Sequence, residues 1–294
     1  MSSTVVTVDD GGADSSDLVN RLEQASSLSD DGRWSEAADI LLEEEAEHPR
    51  DATLLCMLGV VAQELGADGR AYDYFKRCIA EQPADPLLLV TAGNGLAHYD
   101  DPEAESTLRL AAVTTPELML ARLYYGSYLL REGLLEQATA ELEAARELDD
   151  VDSRVHRELA TAYYLAGRRP ESIVHLERAL ERSEEDPDLR LLYGLVLLED
   201  GQMSEAAEEI HRASADLPMD TEASLLSALA CSAEDWTDEA WLAIARAEDG
   251  ITSELLPALQ EVEELVEAGS AASTTFLREQ FAPSMLRERM LLRP

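Results

Sequence analysis

The sequence predicts an all-α fold made by stacking short helix pairs, and three observations carry that prediction. Ala, Leu, Glu and Arg dominate and aromatic residues make up only 5% of the chain, a composition of helices rather than sheets. A hydrophobic share of 46% in 294 residues is ample for a core. Residues 52–85 read as two short amphipathic helices with a tight turn at Gly66 and a break at Pro83, and this spacing returns along most of the chain with a 34-residue period.

Taken in order, residues 1–17 contain Asp9, Asp10, Asp14 and Asp17 beside Gly11-Gly12, with no basic residue and no long apolar run. They are expected to form a disordered acidic leader rather than a signal peptide. Seven units fill 18–254, starting at Leu18, Ala52, Pro86, Met119, Ser153, Pro187 and Thr221. A small residue recurs at Ala37, Ala71, Ala104, Ala138, Ser172, Ala206 and Ala240. Four residues later stands a bulky one: Leu41, Phe75, Leu108, Leu142, Leu176, Ile210 and Ile244. A turn glycine appears at Gly32, Gly66, Gly133, Gly167 and Gly201, and a closing proline at Pro49, Pro83, Pro116 and Pro218. Small residues let helices approach, the turn glycine tolerates positive φ, and proline stops the second helix. The third unit is one residue short, with Asp100-Asp101-Pro102 at its turn. Weak joints are expected where the fourth unit has Asp150 in place of the closing proline, where the fifth offers Glu184-Glu185-Asp186 before Pro187, and where the seventh has Asp235 in place of the glycine.

The seven in-register copies resemble the tetratricopeptide repeat. That resemblance implies a right-handed superhelical solenoid of about seven helix-turn-helix units whose apolar stripes are buried only by stacking. At 255–269, Leu259, Val262, Leu265 and Val266 form one helical stripe before Gly269, similar to the capping helix of such arrays. Residues 270–275 are small and polar and are expected to be a linker, and 276–294 form a basic amphipathic tail.

Charge narrows the function. A net charge of −38 opposes binding to nucleic acid or anionic lipid, which both require Lys and Arg. The chain has one lysine, Lys76, against twenty-two arginines, a pattern that adaptation to high salt and a biased genome both produce. No stretch has the length of a membrane span, and Cys56, Cys78 and Cys231 suit neither a disulfide framework nor a zinc site, so a cytoplasmic protein is expected. His48, His98, His156, His175 and His211 are scattered, and neither a phosphate loop nor a nucleophile elbow is present. No catalytic residue, metal or cofactor is therefore expected; Cys56 is the one thiol to test for reactivity.

In proteins that resemble this one, the first helix of each repeat lines a concave groove. Carried over, that lining comprises Cys56, Val60, Leu87, Val90, Asn94, Leu120, Leu123, Ser127, Arg154, Arg157, Thr161, Leu191, Leu195, Leu225 and Leu229. Most are apolar in a strongly anionic chain, as expected of a surface for a peptide or amphipathic helix of a partner protein. The family's clamp for a C-terminal carboxylate is not matched, although Asn94, Arg154 and Arg157 suit one acidic or amide group. The tail presents Phe276, Phe281, Met285, Leu286, Met290 and Leu291 among arginines, and is expected to dock in its own groove, in a second copy, or on the partner, or to add core beside the capping helix. The expected function is a non-enzymatic protein-binding scaffold or adaptor. The alternative is a chaperone or assembly factor that shields an apolar segment of a client.

Overall fold

The computed structural model describes residues 11–183 and 185–291, which are helical with no strand. The chain divides into two compact units, Met1–Tyr128 and Leu129–Pro294.

The first unit contains α1 (Gly11–Asp30), α2 (Trp34–Glu45), α3 (Ala52–Glu64), α4 (Asp68–Ala80), α5 (Pro86–His98), α6 (Glu103–Thr114) and most of α7 (Met119–Arg131). Consecutive helices pack as hairpins, α1 on α2, α3 on α4 and α5 on α6, and α2 on α3 and α4 on α5 join one hairpin to the next. Between hairpins the fit is set by one ring. Phe75 of α4 lies between Gly59 of α3 and Gly95 of α5, where a Cβ on either glycine would collide with the ring. The expected leader is helical from Gly11 onward; residues 1–10 lie outside the described ones.

Helix starts explain why the hairpins fall in register. Asp51 and Asp85 each sit just before a first helix, and each side chain accepts a backbone N–H, from Leu54 and Leu87 at 2.9 Å. The turn glycines Gly32 and Gly66 adopt φ of 72° and 69°, and Asp100, at the shortened turn, adopts φ 52°. That turn is fastened by Asp101, which accepts from the Glu103 N–H at 2.8 Å and from the Tyr72 hydroxyl at 2.7 Å. Lys76 lies 3.3 Å from Asp101 and 2.8 Å from Glu103. The shortened turn therefore has its own polar lock.

The second unit continues with α8 (Leu135–Leu148), α9 (Ser153–Leu165), α10 (Arg169–Leu180), α11 (Pro187–Asp200), α12 (Met203–Asp216), α13 (Thr221–Ala233) and α14 (Thr237–Asp249). Again α9 packs on α10, α11 on α12 and α13 on α14, with α10 on α11 and α12 on α13 between hairpins. Asp152, Asp186 and Asp220 repeat the cap, and Gly133, Gly167 and Gly201 repeat the positive φ, joined by Asp235 at φ 60°.

The C-terminal elements are α15 (Leu256–Ala268), α16 (Ser270–Phe276), a π-helical turn (Leu277–Phe281) and α17 (Ala282–Leu291). The stretch expected to be a linker is helical because it is packed: Ser273 is fully buried, 2.8 Å from the Ser232 hydroxyl, and donates to the Leu265 carbonyl at 3.2 Å. Buried serine hydroxyls with partners cost little, so composition alone misread this segment.

Candidate binding groove on the first helices of the hairpins

The first helices, α3, α5, α7, α9, α11 and α13, carry the residues expected to face a ligand, and the structure sorts them into three groups. In the first unit Cys56, Val90 and Leu123 are buried, Val60, Asn94, Leu120 and Ser127 are half-buried, and Leu87 is 45% exposed. Leu87 is held at the N-terminal end of α5, beside the Asp85 cap. Buried Cys56 hydrogen-bonds to the Cys78 thiol, and that contact together with burial pushes its own thiol well above the ordinary range. The expected reactive thiol is thus an inert core group.

In the second unit the arginines are already engaged. Arg154 is exposed and pairs with Asp152 at 2.6 Å, while Arg157 lies 3.8 Å from Asp186 with its Nε buried and without a partner. Thr161 is buried and donates to the Arg157 carbonyl at 3.1 Å. Both cations therefore face aspartates that cap α9 and α11, rather than standing open to a ligand carboxylate.

The largest correction concerns Leu191, Leu195, Leu225 and Leu229. Expected as open groove, all four are fully buried in one apolar cluster. Adjacent helices and the C-terminal segment pack into that same cluster. The segment packs across α11 and α13: α17 lies on α11, and α16 and the π turn lie on α13. Leu277 and Leu286 are fully buried and Met285 is 5% exposed, within the same cluster as the four leucines. Phe276 and Phe281 flank it, partly buried, with ring centroids 6.2 Å apart. The side chains of Met290 and Leu291 lie outside the described ones.

Charge completes the seat. Arg289 of α17 pairs with Asp220, whose other oxygen caps α13, and lies 3.5 Å from Asp188 in the first turn of α11. A cavity of about 200 Å³ remains where Leu198 and Glu199 of α11 face Arg278 and Pro283. Neither the tail's Arg-to-Asp contacts nor the cap aspartates were singled out from sequence. The caps do leave a signal there, an Asp immediately before Ala52, Pro86, Ser153, Pro187 and Thr221.

Two further polar clusters lie in the second unit. His156 and His175 meet Nδ1 to Nδ1 at 2.9 Å, and the other His156 nitrogen lies 2.9 Å from the Asp150 carbonyl. Burial and the neighbouring His156 push His175 down to about 4. His211 lies 3.1 Å from Ser227 and 3.5 Å from Cys231, but Cys231 is fully buried and burial raises its thiol to about 11. A buried, protonated thiol is no nucleophile. Among the described residues no three metal-ligating side chains cluster, and no helix is long and apolar enough to cross a membrane.

Models of the tetratricopeptide repeat match residues 163–230 in one case, and 22–86 and 126–187 in another. The chain belongs to the tetratricopeptide repeat family. Proteins with these repeats are generally non-catalytic scaffolds, and in this chain the repeats support a scaffold for protein–protein interaction. Among solved structures the chain resembles a thermophilic tetratricopeptide repeat protein of Thermus thermophilus, with TM-score 0.51 and 27% identity over 61% of this chain and 98% of that one. It also resembles the crystal structure of the APC/C hetero-tetramer Cut9–Hcn1, with TM-score 0.67 and 16% identity. That match covers 82% of this chain and 48% of the other, and at such identity it shows the fold alone. No curated protein matches the chain. The third repeat, whose turn departs from the pattern, falls outside the matched segments yet forms the same hairpin of α5 and α6.

Proposed function

We propose that this tetratricopeptide repeat protein is a non-enzymatic adaptor that takes a helical or extended segment of a partner protein on the faces of its first helices. The observation that carries this reading is the seating of an amphipathic helical segment, its own tail, on α11 and α13. In the first unit the equivalent positions Val60, Leu87, Asn94, Leu120 and Ser127 keep solvent exposure. Apolar Leu87 and Leu120 supply anchors, and Asn94 supplies a hydrogen-bonding group to orient a peptide. A few anchors worth about 1.5–3 kcal/mol each, offset by association entropy, give affinities near micromolar. That range suits an adaptor that exchanges partners. The free thiols Cys56, Cys78 and Cys231 suit a reducing compartment, and we place the protein in the cytoplasm.

The test is selection of displayed helical and extended peptides on the full chain. Binders with Kd in the micromolar range that are lost from a Leu87→Asp, Leu120→Asp variant of unchanged helicity support the reading. Binders that survive both substitutions overturn it. Release of a captured protein when it enters a larger assembly marks the chaperone role instead.

A further inference from the structure

The tail does more than cap a solenoid, because it meets α11 and α13 in the way a bound partner would. We propose that Leu277–Leu291 is a displaceable occupant of this surface, and that the partner which displaces it is a basic amphipathic helix of another protein. This rests on reading the first-helix faces as the binding surface, and names both the partner's chemistry and the regulation of access.

Three observations support exchange rather than permanent core. First, the seat is complementary in charge as well as apolar. The tail carries four arginines against two glutamates in a chain of net −38, and Arg289 spans Asp188 and Asp220 on two different helices. Core packing alone needs no such clasp. Arg289 and Asp220 are partly buried while Asp188 is exposed, so added salt or a competing arginine reaches the clasp from the Asp188 side.

Second, the connection to the tail is built for movement. Gly269 separates α15 from α16 at φ 94° and ψ −179°, a conformation essentially confined to glycine. The π-helical turn Leu277–Phe281 then precedes α17. A π turn, with i→i+5 bonds, is a rare interruption of a helix that recurs at functional sites, and here it marks the point at which α17 can part from α15 and α16.

Third, the fit is incomplete. A cavity of about 200 Å³ lies between α11 and the tail, lined by Leu198, Glu199, Arg278 and Pro283. A helix whose side chain fills that space beside Leu198 and offers a basic group to Glu199 buries more surface than the tail does, and competes with it. Its anchors replace Leu277, Met285 and Leu286, and its arginine meets Asp188 and Asp220.

The test uses the full chain and a fluorescent peptide of residues 276–294. Arg289→Glu reverses the charge at the partly buried clasp, and Leu286→Asp removes a buried anchor. The expected result is at least about tenfold tighter peptide binding to either variant than to the unaltered chain. Binding to the opened chain should fall about tenfold on adding Asp188→Arg, and fall again as salt rises from about 50 to about 500 mM. Amide exchange at 282–291 should become fast in Arg289→Glu while α11 and α13 stay protected, which reads release even if Leu286→Asp fails to fold. Equal peptide affinity in all chains, with 282–291 protected throughout, overturns the proposal. A doubled mass for the unaltered chain, lost in Arg289→Glu, also overturns it by assigning the tail to a second copy. If displacement fails while selected peptides still depend on Leu87, the adaptor reading stands and only the role of the tail falls.

Discussion

At the scale of single residues, function and stability turn on side chains whose surroundings the sequence does not display. Phe75 is one. Its ring occupies the space that a Cβ on Gly59 or Gly95 would need, so Gly95→Ala should cost about 1–3 kcal/mol through overpacking, read as a lower urea midpoint. Gly59 was legible from the repeat pattern; Gly95 was not, because it answers a ring that arrives from another hairpin. His175 is another. Its imidazole takes up a proton only at about 4 when folded but near 6.5 when unfolded. Between those values the unfolded chain binds more protons, so stability should fall as pH drops from about 6.5 to about 4 and level off below. The groups facing it are His156, Glu143, Arg146 and Asp150, with the Tyr163 ring stacked on it. His175→Gln should flatten that acid slope in melts run across the window. An unchanged slope would assign the loss to other groups.

At the scale of elements, the repeat is held by caps and turns as much as by its apolar stripe. Five first helices start on an aspartate that accepts a backbone N–H. Asp51→Ala should cost about 1 kcal/mol, read from thermal unfolding, since its side chain accepts the Leu54 N–H at the start of α3. Asp235 stands where other repeats have glycine and adopts φ 60°, a region that costs an L residue energy. Asp235→Gly should therefore raise the melting temperature, whereas Ala243→Gly at an ordinary helical position should lower it, at a cost of about 1 kcal/mol or more of stability. The contrast separates turn geometry from loss of a side chain. The shortened third turn differs again: Asp101 and Lys76 lock it, so Lys76→Met should destabilise this hairpin although the residue replaced is charged and partly exposed.

At the scale of the whole molecule, the net charge of −38 dominates the response to solution conditions. Self-repulsion weakens as the Debye length shrinks from about 30 Å at 0.01 M salt to about 3 Å at 1 M. The melting temperature should therefore rise over that range. Binding of a basic partner should weaken over the same range, because the clasp at Asp188 and Asp220 is screened by the same ions. Opposite salt trends for folding and for binding are the signature expected of this chain. Parallel trends would show that the partner contact is apolar only.

The sequence by itself determined the architecture. Helical period, turn glycines and closing prolines are local requirements of a hairpin, and each repeat contacts mainly its neighbours, so a 34-residue pattern suffices to set the fold. It also marked the tail as basic and amphipathic. Only the tertiary structure decided which apolar residues remain available. Val60 and Leu195 stand at the same position of their repeats and read alike in sequence, yet one is half-buried and the other fully buried. In the second unit a segment far along the chain folds back over α11 and α13. Burial depends on what covers a surface as well as on what composes it, and no local spacing encodes the cover.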